Sequence, residues 1–174
     1  MKIFYTSVTI FFILSLKIFA GEVKVFGGTP HSTENFEKIN DKFGIPKITD
    51  GDTIKIFNQP IRFHGIDAPE NKQICVKNSK EYNCGQEATD ALIKKINGKS
   101  VLCKISQVDR YNRYIGVCFS AGINLNQWMV RNGHAVAYRR YSKDYIRDEN
   151  YAKKNKFGLW SGKFINPEKW RKLN

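Results

Sequence analysis

Apolar positions divide the chain into three stretches. Residues 3–16 form an almost unbroken apolar run, opened by Met1-Lys2 and closed by Lys17. The run is short for a membrane-spanning helix, and Ile18-Phe19-Ala20 before Gly21 offers a small-residue cleavage site. Residues 1–20 therefore read as an export signal peptide, with an uncleaved N-terminal anchor as the alternative. Residues 21–43 are polar and carry Gly27-Gly28, Pro30 and scattered Ser, Asn and Glu, the composition of a linker or loosely packed arm. Across residues 44–174, short apolar runs alternate with turn residues. Residues 47–49, 53–57 and 61–66 are strand-like, with a turn at 58–60 between the last two. Ala88, Ala91, Leu92 and Ile96 fall at helical spacing within 86–96, and Asn97-Gly98 ends that helix. Residues 101–106 and 114–119 read as a hairpin joined by a turn at 109–112. A second helix over 124–132 places Leu125, Trp128 and Met129 inward and stops at Gly133. A short strand at 134–138 and a third helix over 143–155 follow, with residues 157–160 turning back on the core. This order predicts an α+β domain, and a five-stranded OB-type β-barrel with about three α-helices fits it.

Charge changes the picture more than length does. The 174 residues suit one domain with its own core, and their formal net charge is +13. An ordinary apolar content excludes wholesale disorder, so the excess charge points to an anionic partner, either nucleic acid or an anionic membrane surface. Residues 139–174 alone carry eleven Lys or Arg against four Asp or Glu. The four cysteines are Cys75, Cys84, Cys103 and Cys118. In an exported chain an even number suggests disulfides, and the lack of any CxxC pair argues against zinc. If the hairpin turn is centred between Arg110 and Tyr111, Cys103 lies opposite Cys118, close enough to bridge. Cys75 and Cys84 are then left to close a small loop rich in Lys, Asn and Ser.

Three stretches concentrate chemistry: Asp50-Gly51-Asp52-Thr53, the segment from Arg62 to Glu70, and Asp109-Arg110-Tyr111-Asn112-Arg113. Carboxylates bind hard cations, and arginine forks bind phosphate. A basic chain holding both is a candidate for metal-assisted phosphodiester cleavage. Taken singly, each residue has a plainer reading: Asp52 as turn chemistry, Asp67 as a loop residue beside Pro69, Glu70 as a surface carboxylate, Arg113 as a solvated arginine. Arg62 is the exception, because a charged residue within a strand needs a partner for its head.

The ordered set of these motifs, with Asp67-Ala68-Pro69-Glu70, Cys84-Gly85-Gln86-Glu87-Ala88 and Gly158-Leu159-Trp160, resembles the exported bacterial branch of the staphylococcal-nuclease-like (thermonuclease) family. The likeness runs from about residue 45 to 170. It implies a secreted, periplasmic or cell-envelope nuclease, monomeric and without an obligate protein partner. Its substrates would be DNA and RNA, single-stranded or locally melted, cleaved at the P–O5′ bond to leave 3′-phosphate ends. The resemblance makes Asp52, Asp67 and the carbonyl of Ala68 ligands of Ca2+, a cation that accepts mixed oxygen sets. Position 68 is usually Thr in the family, so a hydroxyl is lost here. Glu70 becomes the general base, and Arg62 and Arg113 the guanidiniums that offset transition-state charge. Arg110, Tyr111 and Tyr138 become substrate contacts, with tyrosine stacking tolerant of base identity. Asn112 stands where the family has glycine and suits a positive φ, while His64 reads as structural. Some relatives of this fold have lost catalysis, so a noncatalytic OB-type nucleic-acid-binding module is the alternative.

Overall fold

A computed structural model describes residues 40–174. The signal segment and nearly all of the polar arm lie outside the described residues. Frequent Asn, Gly and Pro keep the elements short. They are β1 (Lys42–Gly44), β2 (Lys47–Ile48), β3 (Thr53–Ile56), β4 (Gln59–Phe63), β5 (Ile66–Asp67), β6 (Ile74–Lys77), β7 (Lys80–Asn83), α1 (Cys84–Ile96), β8 (Val101–Val108), β9 (Tyr114–Ser120), β10 (Ile123–Asn124), α2 (Leu125–Arg131), β11 (Val136–Ala137), α3 (Ile146–Lys154), a 3₁₀ turn (Gly158–Ser161) and α4 (Pro167–Leu173). Lys42 and Phe43, expected at the end of the arm, already pair with β8.

The main sheet runs β1-β8-β9-β4-β3-β2, with β10 added to β9. It curls so that Gly44 of β1 lies against Ile56 of β3, which gives an OB-like half-barrel. Among the described residues this sheet has seven strands, and four α-helices accompany it, where five strands and about three helices were expected. Alternation sets the core: Ile54, Ile56, Ile61 and Phe63 point inward from β3 and β4 and meet Leu92 and Ile96 of α1 and Leu125 and Met129 of α2. Each such side chain contributes roughly 1.5–3 kcal/mol on burial. Asn83 and Asn124 cap α1 and α2 by accepting from Gln86 N–H at 2.9 Å and Gln127 N–H at 3.0 Å.

Two turns depart from expectation. The β3–β4 turn is Phe57-Asn58, both at positive φ, rather than residues 58–60. A two-residue turn of that hand matches strand twist, so Gln59 and Pro60 are drawn into β4, where Pro60 pairs with Lys55. The β8–β9 turn is centred on Tyr111, with Asp109 N–H bonded to Arg113 O at 2.9 Å, and Asn112 has φ +61°. A bulge at Ser106 then absorbs one residue and restores the register in which Cys103 faces Cys118. The Ser106 hydroxyl donates to Ile115 O at 3.1 Å. Both expected disulfides are present, Cys103–Cys118 and Cys75–Cys84. The segment expected as a loop around the second is the β6–β7 hairpin, whose turn residues Asn78 and Ser79 take positive φ.

Candidate active site

The curled sheet brings three short segments to one edge. Asp52 precedes β3, Arg62 lies in β4 where it pairs beside Thr53, and Asp67 ends β5. Arg62 Nη1 donates to Asp52 Oδ1 at 2.6 Å and Nη2 to Asp67 Oδ1 at 2.7 Å. The charged strand residue thus has two buried carboxylates as partners. Ala68 N–H donates to Asp52 Oδ2 at 2.9 Å, and Thr53 Oγ1 donates to Asp52 Oδ1 at 3.0 Å. Glu70 follows on the same loop. The start of α1 presses against that loop so closely that a side chain at Gly85 would collide with the Glu70 carbonyl.

An open cleft of about 840 Å³ runs past this cluster. Asp52, Arg62, Ala68 and Glu70 form one part of its wall, and Arg110, Tyr111, Arg113 and Tyr138 another. All the expected site residues except the fully buried Asp67 therefore line a single cleft. Arg113 does not join the carboxylate cluster. Its Nε and Nη2 both contact Asp109 Oδ2, at 2.9 and 2.8 Å, which fixes the guanidinium against the hairpin turn. Burial would raise Asp109, but the backbone N–H of Arg113, then its side chain and the N–H of Tyr111, outweigh that and hold the carboxyl below the usual range. Tyr111 is 64 % exposed, with Arg110 and Arg113 against its ring at 4.9 and 5.5 Å. Tyr138 meets Tyr141 edge to face at 4.8 Å, and both line the cleft.

Two residues given no role in the sequence analysis, Asp50 and Arg171, complete the site. Asp50 lines the cleft and accepts from Asp52 N–H at 3.0 Å. Burial, and next the charge of Asp52, push its carboxyl up to about 6. Arg171 arrives from α4: Nη1 donates to Asp67 Oδ1 at 2.9 Å and to Glu70 Oε1 at 2.8 Å, and Nη2 donates to Asp67 Oδ2 at 3.0 Å. Burial opposes the charge on Arg62 and Arg171, but their carboxylate partners win and hold both above the ordinary arginine value. Burial raises Asp67 while the Arg171 bonds oppose that rise and the Asp52 charge adds to it. Burial wins, so the Asp67 carboxyl is held above its ordinary value. The doublet Asp50-Gly51-Asp52 was a readable signal for Asp50, whereas nothing near Arg171 in the chain hints at its partner Glu70.

The donor set can be tested against a hard cation. Among the described residues no three His, Cys, Asp or Glu side chains form a preformed metal cluster. A carboxylate offers about four acceptor sites. Asp52 fills three and Asp67 fills three, and on each the remaining site is on Oδ2. Four carboxylates, Asp50, Asp52, Asp67 and Glu70, face two arginines, so the cluster retains negative charge when all are ionised. Oxygen-only donors and residual negative charge fit a hard divalent cation completed by water.

Comparison with known proteins agrees with this geometry. Residues 60–162 match the family described as Staphylococcal nuclease homologue. The succinoglycan biosynthesis protein ExoI of Rhizobium meliloti is 34% identical over 121 residues, spanning 67% of this chain and 63% of that protein. An uncharacterized endonuclease of Escherichia coli O157:H7 is 36% identical over 124 residues, 67% of this chain and 75% of the other. The probable staphylococcal-like nuclease CAN3 of rice, Oryza sativa subsp. japonica, is 37% identical over 117 residues, 64% of this chain but 28% of that longer protein. The chain belongs to the staphylococcal nuclease homologue family, in which several of its relatives are named endonuclease or nuclease.

Proposed function

We propose that this protein is an exported, calcium-dependent, sugar-nonspecific nuclease that hydrolyses phosphodiester bonds of DNA and RNA and leaves 3′-phosphate ends. The observation that carries the reading is the distribution of free acceptor atoms. Asp52 and Asp67 each keep one site open on Oδ2, and Glu70 keeps Oε2 without a partner among the described residues; Asp52 and Glu70 line the cleft, and Asp67 is buried behind it, tied to Asp52 through Arg62.

Asp52 Oδ2, Asp67 Oδ2 and the Ala68 carbonyl would hold the calcium ion. When bound, it would supply electrostatic polarisation of a phosphate oxygen. The chain's own residues do the rest. Arg62 spends two of its N–H donors on Asp52 and Asp67 and keeps others for phosphate oxygens. Arg113, steadied by Asp109, approaches from the opposite strand pair. Two fixed guanidiniums offset the charge that grows on the equatorial oxygens as water attacks. Glu70 Oε2 takes the proton of that water, and the bond to O5′ breaks in line, O5′ leaving with the electron pair and taking a proton from solvent to give the 5′-hydroxyl. Tyr111 and Tyr138 offer ring faces for the flanking bases, and Arg110, Arg140 and Lys172 supply sequence-independent phosphate contacts. Two disulfides suit an oxidising compartment and support export.

A digestion assay tests the reading. Single-stranded DNA is incubated with the oxidised protein, with calcium, with calcium plus chelator, and with the Glu70→Ser variant. Cleavage by the parent in calcium alone, with ends that lose phosphate to a 3′-phosphatase, is expected. A salt-sensitive DNA complex that is never cut would instead identify a binding module.

A further inference from the structure

We propose that Arg171 is a positioning residue of the hydrolytic site, tying Glu70 to Asp67 so that Glu70 presents Oε2 to the attacking water. This rests on reading Glu70 as the base. Arg171 Nη1 is shared between Glu70 Oε1 and Asp67 Oδ1, at 2.8 and 2.9 Å, while Nη2 holds Asp67 Oδ2 at 3.0 Å. One planar group therefore sets the separation and orientation of two carboxylates with different tasks. A lone Glu70, 34 % exposed at its side chain, has several rotamers open to it. The fork selects one in which one oxygen is bonded and the other is left free.

The fold is built to deliver this arginine. The Cys75–Cys84 disulfide, Val136 and Leu159 form a second small core, on which Trp160 and Phe164 pack. Residue 163 bonds Val76 in both directions, at 2.9 and 2.7 Å, so the chain after the 3₁₀ turn runs along β6. The fully buried Gln73 then joins the two partners of the arginine's arrangement. Its Oε1 accepts from Glu70 N–H at 3.3 Å, and its Nε2 donates to Ile165 O at 2.6 Å, immediately before α4. Asn166 caps α4 by accepting from Glu168 N–H at 3.0 Å, and Pro167 is buried. A buried amide linking the Glu70 loop to the entry of α4 fixes the distance that the Arg171 fork must span. Arg171 lies beyond the residues 60–162 that match the family.

The test is Arg171→Gln and Arg171→Lys in the full oxidised chain, each alone and with Glu70→Gln. Turnover and KM on single-stranded DNA are measured at saturating calcium, calcium affinity by calorimetry, and melting temperature alongside. Arg171→Gln is expected to lower turnover by ~10–100-fold with KM little changed, the scale on which misplaced catalytic groups act. Arg171→Lys should lose at least ~10-fold, because an ammonium cannot reproduce the planar fork. Calcium should bind the Gln variant at least as tightly as the parent, since a competing positive charge is gone. In the Glu70→Gln background, Arg171→Gln should cost less than ~3-fold more, the coupling of a pair acting through one group. Equal losses in both backgrounds, or full turnover in either Arg171 variant, would overturn the proposal. Full turnover in Glu70→Gln alone would instead remove the base assignment on which it stands.

Discussion

Asp67 and Glu149 are both buried carboxylates held by arginine forks, but their acceptor atoms are filled to different extents. Glu149, 1 % exposed, accepts from Ala137 N–H and Arg139 Nη1 on Oε1 and from Arg139 Nη2 and Lys153 Nζ on Oε2. That exhausts a carboxylate's capacity of about four bonds. Asp67 sits beside a cleft with one acceptor site open, next to Asp52 in the same condition and Glu70 with an oxygen free. Glu149 knits α3 to the strand β11; the Asp67 cluster keeps unspent capacity where a ligand can enter. A saturated charge network is a structural tie, and an unsaturated one at a cleft is a site.

Removing one carboxylate from each cluster separates these roles most sharply. Glu70→Gln should reduce turnover by ~10²–10⁴-fold, the range of a lost general base, with the melting temperature unmoved. Glu149→Gln should do the reverse. Losing one member of a buried ion pair costs ~3 kcal/mol, toward the low end here because Arg139 and Lys153 are about half exposed. That amounts to a melting temperature lower by roughly 10 °C, with turnover of the folded protein preserved. Kinetics and thermal melts of both variants, side by side, decide it. A Glu149→Gln variant that melts with the parent but turns over slowly would collapse the distinction.

The parts of the Asp67 cluster were not equally legible in the sequence. Asp52, Arg62, Asp67 and Glu70 lie within nineteen residues, and although each taken singly had a plainer reading, their ordered set carried the family resemblance that assembled them. Arg171 and Glu70 are separated by 101 positions, and only the packing of residues 158–165 along β6 joins them. The helix that carries Arg171 did announce itself: Asn166-Pro167-Glu168 is a cap, a first-turn proline and a first-turn acid. The β6–β7 hairpin was hidden because β7 is polar apart from Tyr82 and the short apolar run Ile74-Cys75-Val76 was absorbed into a Lys-, Asn- and Ser-rich loop, although Asn78-Ser79 is a readable two-residue turn. The Cys103–Cys118 pairing was reached through a turn centre half a residue off, and the bulge at Ser106 is what made the outcome correct. Bulges leave no composition signal, so register near a turn is the least readable part of such a hairpin.

A smaller effect probes the open end of the cleft. Tyr111 makes no hydrophobic core contact and is largely exposed between two arginines. Stacking of one base on tyrosine is worth ~1–3 kcal/mol. Tyr111→Ala should therefore raise KM for single-stranded DNA by about tenfold and leave turnover and melting temperature as they were. A change confined to turnover would place Tyr111 in the chemistry instead of the binding surface.

The finest contrast is in pH, where the two clusters should slope in opposite directions. Glu149 is held below its ordinary value: burial alone would raise it, but the Arg139 and Lys153 bonds outweigh that. Its stabilisation is present above the unfolded value near 4.5 and is lost as pH falls through the folded one. Asp50 behaves in the opposite sense. Its folded value of about 6 exceeds the unfolded 3.8, so the folded state holds the extra proton between them. Stability from Asp50 is fully present below 3.8 and is lost as pH rises through about 6, where its charge must sit near that of Asp52. In chelator, Asp50→Asn should melt a few degrees above the parent at neutral pH and converge with it toward pH ~4, because only the parent carries a charge there that burial, and next Asp52, disfavours. Glu149→Gln should lose its deficit only below that range. An Asp50→Asn variant that tracks the parent from acid to neutral pH would mean that the cost of the buried Asp50 charge, and of its repulsion by Asp52, is already offset by its hydrogen bonds and Arg62, leaving the cleft as quiet electrostatically as the Glu149 tie.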